Sequence, residues 1–222
     1  MKAILHQHAQ ARSEAFGYQC NGCGGCCRGK AIQVNPYEAA RLAAHLGIAT
    51  RAFREGWTQR GEGALLAHKA DNSCVFLTDE GCTVHPERPL VCRLYPLGRV
   101  RRSDGNESFT HVMPVPGSAG EYTQSGTIGD FVAVQDAQPF ITASDAYADW
   151  VNAARAVLEG ISDGETGSLG SAELLDMDEA VAGYCEANEL PPPCDVEEKA
   201  RLHLEMLYAE LEMIAGGDDV ES

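Results

Sequence analysis

The chain has 222 residues, of which 44% are hydrophobic and 23% are charged. This composition is typical of a globular protein and excludes a disordered or fibrous chain, and the length fits one domain or one domain with a helical appendage. No apolar run approaches the roughly 20 residues that a membrane helix needs, and the N-terminus lacks the apolar segment of a signal peptide. We therefore expect a cytoplasmic protein that makes no membrane contact.

The charge is divided unevenly along the chain. The net charge is −16. Residues 1–102 carry 14 Lys and Arg against 8 Asp and Glu, a net +6, whereas residues 103–222 carry 3 against 25, a net −22. An acidic protein of this kind is a poor candidate for nonspecific nucleic-acid binding. The basic half holds most of the nine cysteines, and its positive charge would stabilise anionic thiolates.

The first elements along the chain are a polar N-terminal segment and a cysteine-rich loop. Residues 1–19 resemble a polar helix or an arm. Residues 20–30 contain four glycines and must form a loop, because glycine permits the backbone turns that point several sulfur atoms toward one place. The loop contributes four cysteines, at Cys20, Cys23, Cys26 and Cys27.

A helix follows the loop, and its start and end are both marked in the sequence. Asn35 is a capping residue, Pro36 suits the first helical position and Glu38 completes a capping box. Gly47 is placed to end the helix.

Residues 64–100 are predicted to form short strands and turns that carry three further cysteines. The segments 74–77 and 82–85 flank a Thr-Asp-Glu-Gly turn and predict a hairpin. A helical turn after Arg88 carries the third cysteine, and a second hairpin is predicted from residues 99–102 and 108–113. The three cysteines lie on separate turns, at Cys74, Cys82 and Cys92.

The remainder of the chain is predicted to be a loop followed by helices. Residues 114–129 are rich in Pro, Gly and Ser and favour a long loop. Four helices are expected beyond it, over 129–137, 145–159, 172–188 and 195–215. The last one has the clearest apolar face and ends at a Gly-Gly pair.

Seven clustered cysteines in a reducing compartment indicate a metal or cluster site rather than disulfides. Thiolates bind zinc tetrahedrally or hold iron–sulfur clusters. The Cys20-x2-Cys23-x2-Cys26 spacing matches the first two gaps of the bacterial cluster motif, and Cys27 breaks the third. We therefore favour a [4Fe–4S] cluster, with zinc as the alternative. The predicted metal ligands are Cys20, Cys23, Cys26, Cys27, Cys74, Cys82 and Cys92.

Three further residues are expected beside the metal. Arg88 and Arg93 could offset the negative charge of the thiolates and so favour thiolate over thiol. Tyr95 lies two residues after Arg93 and could border a substrate pocket next to the cluster. His85 is more simply explained as a satisfied polar side chain at a strand end, although it could also be a ligand.

The cysteine pattern, together with the Arg88-Pro89-x2-Cys92-Arg93-x-Tyr95-Pro96 segment, resembles the YkgJ-type CxxCxxCC cysteine-cluster family. The resemblance covers about residues 20–137. It implies a zinc- or iron-chelating domain, and a similar cysteine domain in flagellin lysine N-methylases implies an iron–sulfur cluster as one option. Many members of the family carry an eighth cysteine within the stretch that corresponds to residues 114–129. This chain has Tyr122, Gln124 and Ser125 there, so a ligand is lost, or Cys185 or Cys194 replaces it.

We expect an α+β fold with a cysteine-rich, metal-bound domain at residues 1–137, containing two hairpins, and an acidic helical region at residues 138–222. Three functions compete. The first is a metal or cluster protein that handles electrons or metal with a redox partner. The second is a cluster-dependent enzyme for group transfer or oxidation, and the third is a structural zinc module that binds another protein.

Overall fold

The computed structural model describes residues 9–61, 65–102, 104–160 and 176–216. They form an α+β structure of helices and small antiparallel sheets, as the sequence predicted. The strands are β1 (Ala15–Gln19), β2 (Leu77–Thr78), β3 (Gly81–Cys82), β4 (Leu97–Arg101), β5 (Glu107–His111) and β6 (Glu121–Thr127). The helices are α1 (Pro36–Leu46), α2 (Thr50–Trp57), α3 (Leu90–Leu94), α4 (Ile128–Val134), α5 (Gln138–Gly160), α6 (Met177–Ala187) and α7 (Val196–Gly216).

The chain divides into two compact units. The first comprises the described residues up to Ile32 and those from Leu66 to Ile141, and the second comprises 33–65 and the described residues from 142 onward. The sequence led us to expect a boundary at residue 137, with everything before it in one domain. The structure instead groups α1 and α2 with the C-terminal helices, because their apolar faces pack against α6 and α7.

Among its described residues, the first unit has three two-stranded antiparallel sheets, which pair β1 with β6, β2 with β3, and β4 with β5. The β4–β5 hairpin confirms the second predicted hairpin, although each strand is displaced by one or two residues. The first hairpin is much shorter than predicted, since only Leu77–Thr78 and Gly81–Cys82 are paired. A hydrophobic core joins β1, β4, β5, α3 and α4, and its buried aromatic members are Phe16, Phe109 and Phe131.

The β1–β6 pair corrects two predictions. Within residues 1–19, predicted as a polar helix or an arm, Ala15–Gln19 form a strand, and residues 1–8 lie outside the described part of the chain. Part of the expected 114–129 loop is also a strand. Tyr18 lies opposite Tyr122 in this pair, and Gly17 lies opposite Thr123. The paired residues are more than 100 positions apart in the sequence, so no local sequence pattern predicts the pairing.

The second unit is a group of helices. The predicted start of α1 is confirmed, because the side chain of Asn35 accepts from the Glu38 N–H while the Glu38 carboxylate accepts from the Asn35 N–H. Gly47 ends the helix in the left-handed conformation, with φ of 69°. Of the predicted 172–188 helix, residues 172–175 lie outside the described part of the chain. Within the described residues, no helix is both long enough and apolar enough to cross a membrane.

Candidate metal centre

Backbone hydrogen bonds join the glycine-rich loop to the segment before Cys74. The N–H of Gly29 donates to the carbonyl oxygen of Asn72 at 2.9 Å, and the N–H of Cys74 donates to the carbonyl oxygen of Cys27 at 2.8 Å. Arg28 and Ser73 form an isolated antiparallel bridge between these two bonds. The two cysteine stretches are therefore adjacent, although more than 40 residues separate them in the sequence.

Glycine conformation shapes the loop. Gly24 has φ of 67°, in the left-handed region, and it precedes a 3₁₀ turn over Gly25–Cys27. A Cβ atom on Gly24 would also lie 3.0 Å from Cδ1 of Leu77. Only glycine meets both conditions without strain, so the loop can turn tightly against β2 and present Cys26 and Cys27 together.

Six of the seven predicted ligands line one cavity of about 360 Å³ in the first unit. They are Cys20, Cys26, Cys27, Cys74, Cys82 and Cys92. Cys26, Cys27, Cys74, Cys82 and Cys92 are half-buried, whereas Cys20 is exposed. Cys23 is exposed and outside the lining, and its sulfur accepts from the N–H of Ala119 at 3.4 Å. The sulfur atoms of the loop, the β2–β3 region and α3 thus surround a common space.

The sulfur atoms influence one another's protonation. Sγ of Cys26 lies 3.9 Å from Sγ of Cys27. A hydrogen bond from the Cys27 thiol, helped by the charge of Lys30, lowers the pKa of Cys26 to about 6, although burial opposes it. The pKa of Cys27 is raised, since its thiol donates to Cys26 and is partly buried. Burial also raises the pKa of Cys74 and Cys82. Of these four thiols, only Cys26 is shifted toward the thiolate form, and a bound cation would favour ionisation of the others.

The cavity suits a soft metal or an iron–sulfur cluster, because six cysteine sulfur atoms line it, beside His85 and Glu80. Metal binding would supply the positive charge that allows neighbouring thiols to ionise. Within the described residues, no group of three or more Cys, His, Asp or Glu side chains already lies close enough together to hold a metal ion.

Arg93 was predicted to offset thiolate charge, and the structure shows how its side chain is held. It is only 4% exposed. Its Nε donates to the carbonyl oxygen of Arg88 at 2.9 Å, and Nη1 donates to that of Gln135 at 2.8 Å. Nη2 donates to the carbonyl oxygen of Pro86, and the guanidinium lies 3.9 Å from the ring centroid of Phe140. Arg93 thus links α3 to residues 86–88 and to Gln135 at the wall of the cavity.

Arg88 and Tyr95 also line the cavity. The guanidinium of Arg88 donates to the carbonyl oxygen of His85 and to Oε1 of Gln135, each at 2.6 Å. The hydroxyl of Tyr95 accepts from the N–H of Val115 at 3.0 Å. These contacts fix both side chains beside the thiols.

The sequence analysis missed Lys30. Its ammonium group lies 3.9 Å from the ring centroid of Tyr95. Burial lowers the pKa of Lys30, while negative charge on the sulfur atoms of Cys26 and Cys92 acts in the opposite direction. Lys30 thus places its amino group beside the sulfur atoms, and its position directly after the last loop glycine was the available signal.

The structure places His85, a further possible ligand, apart from Cys185 and Cys194, the two candidates to replace the eighth cysteine. His85 lines the thiol cavity, whereas Cys185 and Cys194 belong to the second unit and are not part of the lining. Cys185 is buried, with its thiol 3.8 Å from the carbonyl oxygen of Pro191, and Cys194 is exposed. Tyr122 and Ser125 lie on β6, while the side chain of Gln124 is outside the described part of the structure.

A family model described as "CxxCxxCC: Putative zinc- or iron-chelating domain" matches residues 19–114. Residues 19–114 are thus similar to this family, which agrees with the resemblance seen in the sequence and supports metal binding. The matched residues include all seven predicted ligands. No curated protein and no solved structure matches the chain.

Proposed function

We propose that this protein binds an iron–sulfur cluster through its clustered thiolates and uses it in electron transfer or metal handling. The observation that carries the proposal is the convergence of six thiols from three chain segments on one cavity. The family match independently supports zinc or iron chelation. An iron–sulfur cluster supplies one-electron redox chemistry when bound.

Two observations favour a cluster over a single ion. The cavity, of about 360 Å³, is larger than one four-coordinate zinc with Zn–S bonds of about 2.3 Å requires. The spacing of Cys20, Cys23 and Cys26 also matches the start of the bacterial cluster motif. We propose that ligands come from the seven clustered cysteines and that Arg88, Arg93 and Tyr95 form the wall around the cluster.

Zinc is the second candidate, and one distance favours it. The 3.9 Å between the sulfur atoms of Cys26 and Cys27 is close to the edge of a tetrahedral zinc–thiolate site, about 3.8 Å from the Zn–S bond length. Such a site would place both adjacent cysteines on the same ion.

The test is to purify the full chain without oxygen and to measure iron, acid-labile sulfide and zinc. We expect about four irons and four sulfides per chain, with absorption near 400 nm that dithionite bleaches. The Cys82→Ala and Cys92→Ala variants should lose most of this metal. Cys194→Ala is the matched control, because Cys194 is an exposed cysteine outside the cavity. Stoichiometric zinc without sulfide would instead establish the second candidate, and equal loss in the control would contradict the ligand assignment.

A further inference from the structure

A second cavity, of about 480 Å³, lies in the first unit and is lined by aromatic and apolar side chains. Phe16 comes from β1, His111 from β5 and Tyr122 from β6, with Met113 and Pro114 following β5. We call this cavity the aromatic groove. Its described lining contains no cysteine and no Lys, Arg, Asp or Glu, so its chemistry differs from that of the thiol cavity.

The rings that line the aromatic groove pack against one another, and part of their surface is exposed to solvent. His111 and Tyr122 stack with centroids 5.8 Å apart and an angle of 10° between the ring planes. Phe16 meets His111 edge to face at 5.1 Å and is only 3% exposed. By contrast, Tyr122 is 46% exposed and Met113 is 58% exposed. A flat ring could therefore contact the stacked pair and the methionine sulfur, both of which favour aromatic partners.

A series of ring contacts connects the aromatic groove to the thiol cavity. Tyr122 contacts Tyr18 with ring centroids 5.3 Å apart, and Tyr18 contacts Tyr95 at 6.2 Å. Tyr18 and Tyr95 both line the thiol cavity. A ring bound in the aromatic groove would thus be separated from the thiols by a few side chains in direct contact.

We propose that the aromatic groove binds a planar, conjugated, uncharged ring of the isoalloxazine or quinone class. The volume lies within the range of small-molecule sites, and such sites are mostly apolar with few polar groups. The absence of charged side chains from the described lining favours an uncharged ring. The redox character of the ligand rests on the proposed function of the thiol cavity, whereas binding of the ring does not.

Riboflavin and menadione are suitable probes, because they carry the two ring systems without a charged group. Riboflavin binding to the full chain is measured by quenching of its fluorescence, and menadione binding by calorimetry. We expect saturable binding of at least one probe, and the probe that binds identifies the ring class. Tyr122→Ala should weaken binding at least tenfold, while Tyr122→Phe should retain it.

The matched control is Tyr208→Ala, since Tyr208 is an exposed tyrosine on α7 in the second unit. Met113→Ala provides a second test of the groove if Tyr122→Ala does not fold, and it should weaken binding at least threefold. The proposal is overturned if neither probe binds saturably, or if the groove variants bind as tightly as the Tyr208→Ala control. Metal and sulfide content is measured on the same samples, so failure of the proposed function would be seen separately from failure of ring binding.

Discussion

The backbone N–H of Cys74 donates directly to the carbonyl oxygen of Cys27 at 2.8 Å. This bond fixes the register between the two cysteine stretches, so the positions of their thiols depend on the shape of the glycine-rich loop. The loop is therefore part of the candidate metal site even where it contributes no sulfur.

Gly24→Ala tests that dependence. The substitution places a side chain at φ of 67° and brings Cβ to 3.0 Å from Leu77. A left-handed alanine alone should destabilise the fold by about 1–2 kcal/mol, and the contact with Leu77 should displace the turn that carries Cys26 and Cys27. We expect lower metal content and a lower urea midpoint.

Gly56→Ala is the control for the Gly24 substitution. Gly56 lies in α2, without a left-handed φ, and a Cβ there meets no atom within 4 Å. It should leave metal content unchanged and keep or raise stability, because alanine favours helix by about 1 kcal/mol. Equal metal content in both variants would show that the loop conformation does not position the thiols.

Substitutions of Arg93 test whether its charge or its hydrogen bonds to the backbone support the thiol cavity. The sequence hypothesis was that its charge offsets the thiolates, while the structure shows its guanidinium donating to the backbone carbonyls of Pro86, Arg88 and Gln135. Lysine keeps the charge but cannot reproduce this planar arrangement of donors. We therefore expect both Arg93→Lys and Arg93→Met to lose metal, with stability reduced by about 2–4 kcal/mol through unsatisfied buried carbonyls.

Metal content by elemental analysis and stability by urea denaturation distinguish the explanations. Full metal retention in Arg93→Lys, together with loss in Arg93→Met, would support charge and contradict the geometric role. Arg201→Lys is the control, because Arg201 is exposed and pairs only with the nearby Glu205 on α7 in the contacts described.

The sequence predicted the features that depend on neighbouring residues. The Asn35–Glu38 capping box and the β4–β5 hairpin each depend on residues that are close in the sequence, whereas the seven cysteines as metal ligands stay a prediction. The sequence did not predict β1 and β6, because their pairing joins segments more than 100 positions apart. The Gly, Ser and Thr residues in these segments are also typical of a loop. Lys30 was missed for the same reason, since its contact with Tyr95 exists only after the chain folds.

The β1–β6 pairing depends on a close approach at Gly17. A Cβ there would lie 2.1 Å from Oγ1 of Thr123 and 2.9 Å from the carbonyl oxygen of Ser125. Because the second of these atoms belongs to the backbone, Gly17→Ala should force the strands apart and destabilise the fold by about 1–3 kcal/mol. Riboflavin or menadione binding to the aromatic groove should weaken as well, since Phe16 and Tyr122 lie on the two strands.

Urea denaturation and probe titration measure the effects of Gly17→Ala. Gly183→Ala is the matched control, because a Cβ at that position in α6 meets no atom within 4 Å. Unchanged stability in Gly17→Ala would mean that β1 and β6 tolerate a wider separation than the structure shows.

The burial of His203 leads us to expect that the protein becomes less stable as the pH falls. The side chain is 1% exposed, and its Nδ1 lies 3.0 Å from the hydroxyl of Tyr147. Burial lowers the pKa of His203 from 6.5 to about 4. The unfolded chain therefore takes up a proton between pH 6.5 and 4 that the folded chain does not, so the free energy of unfolding falls as pH falls through this window. The predicted loss is on the order of 3 kcal/mol at about 1.4 kcal/mol for each unit of pKa difference.

Urea denaturation at pH 7 and pH 5 measures about 2 kcal/mol of this loss, since the folded chain takes up its proton only near pH 4. His203→Gln should reduce the difference between the two values because glutamine does not titrate. His45→Gln is the control, since His45 is an exposed histidine in the same unit. The variant itself should be less stable at pH 7, as it disturbs the contact with Tyr147, so the comparison rests on the change with pH. An identical pH dependence in His203→Gln and in the unaltered protein would show that His203 is protonated as readily in the folded chain as in the unfolded one.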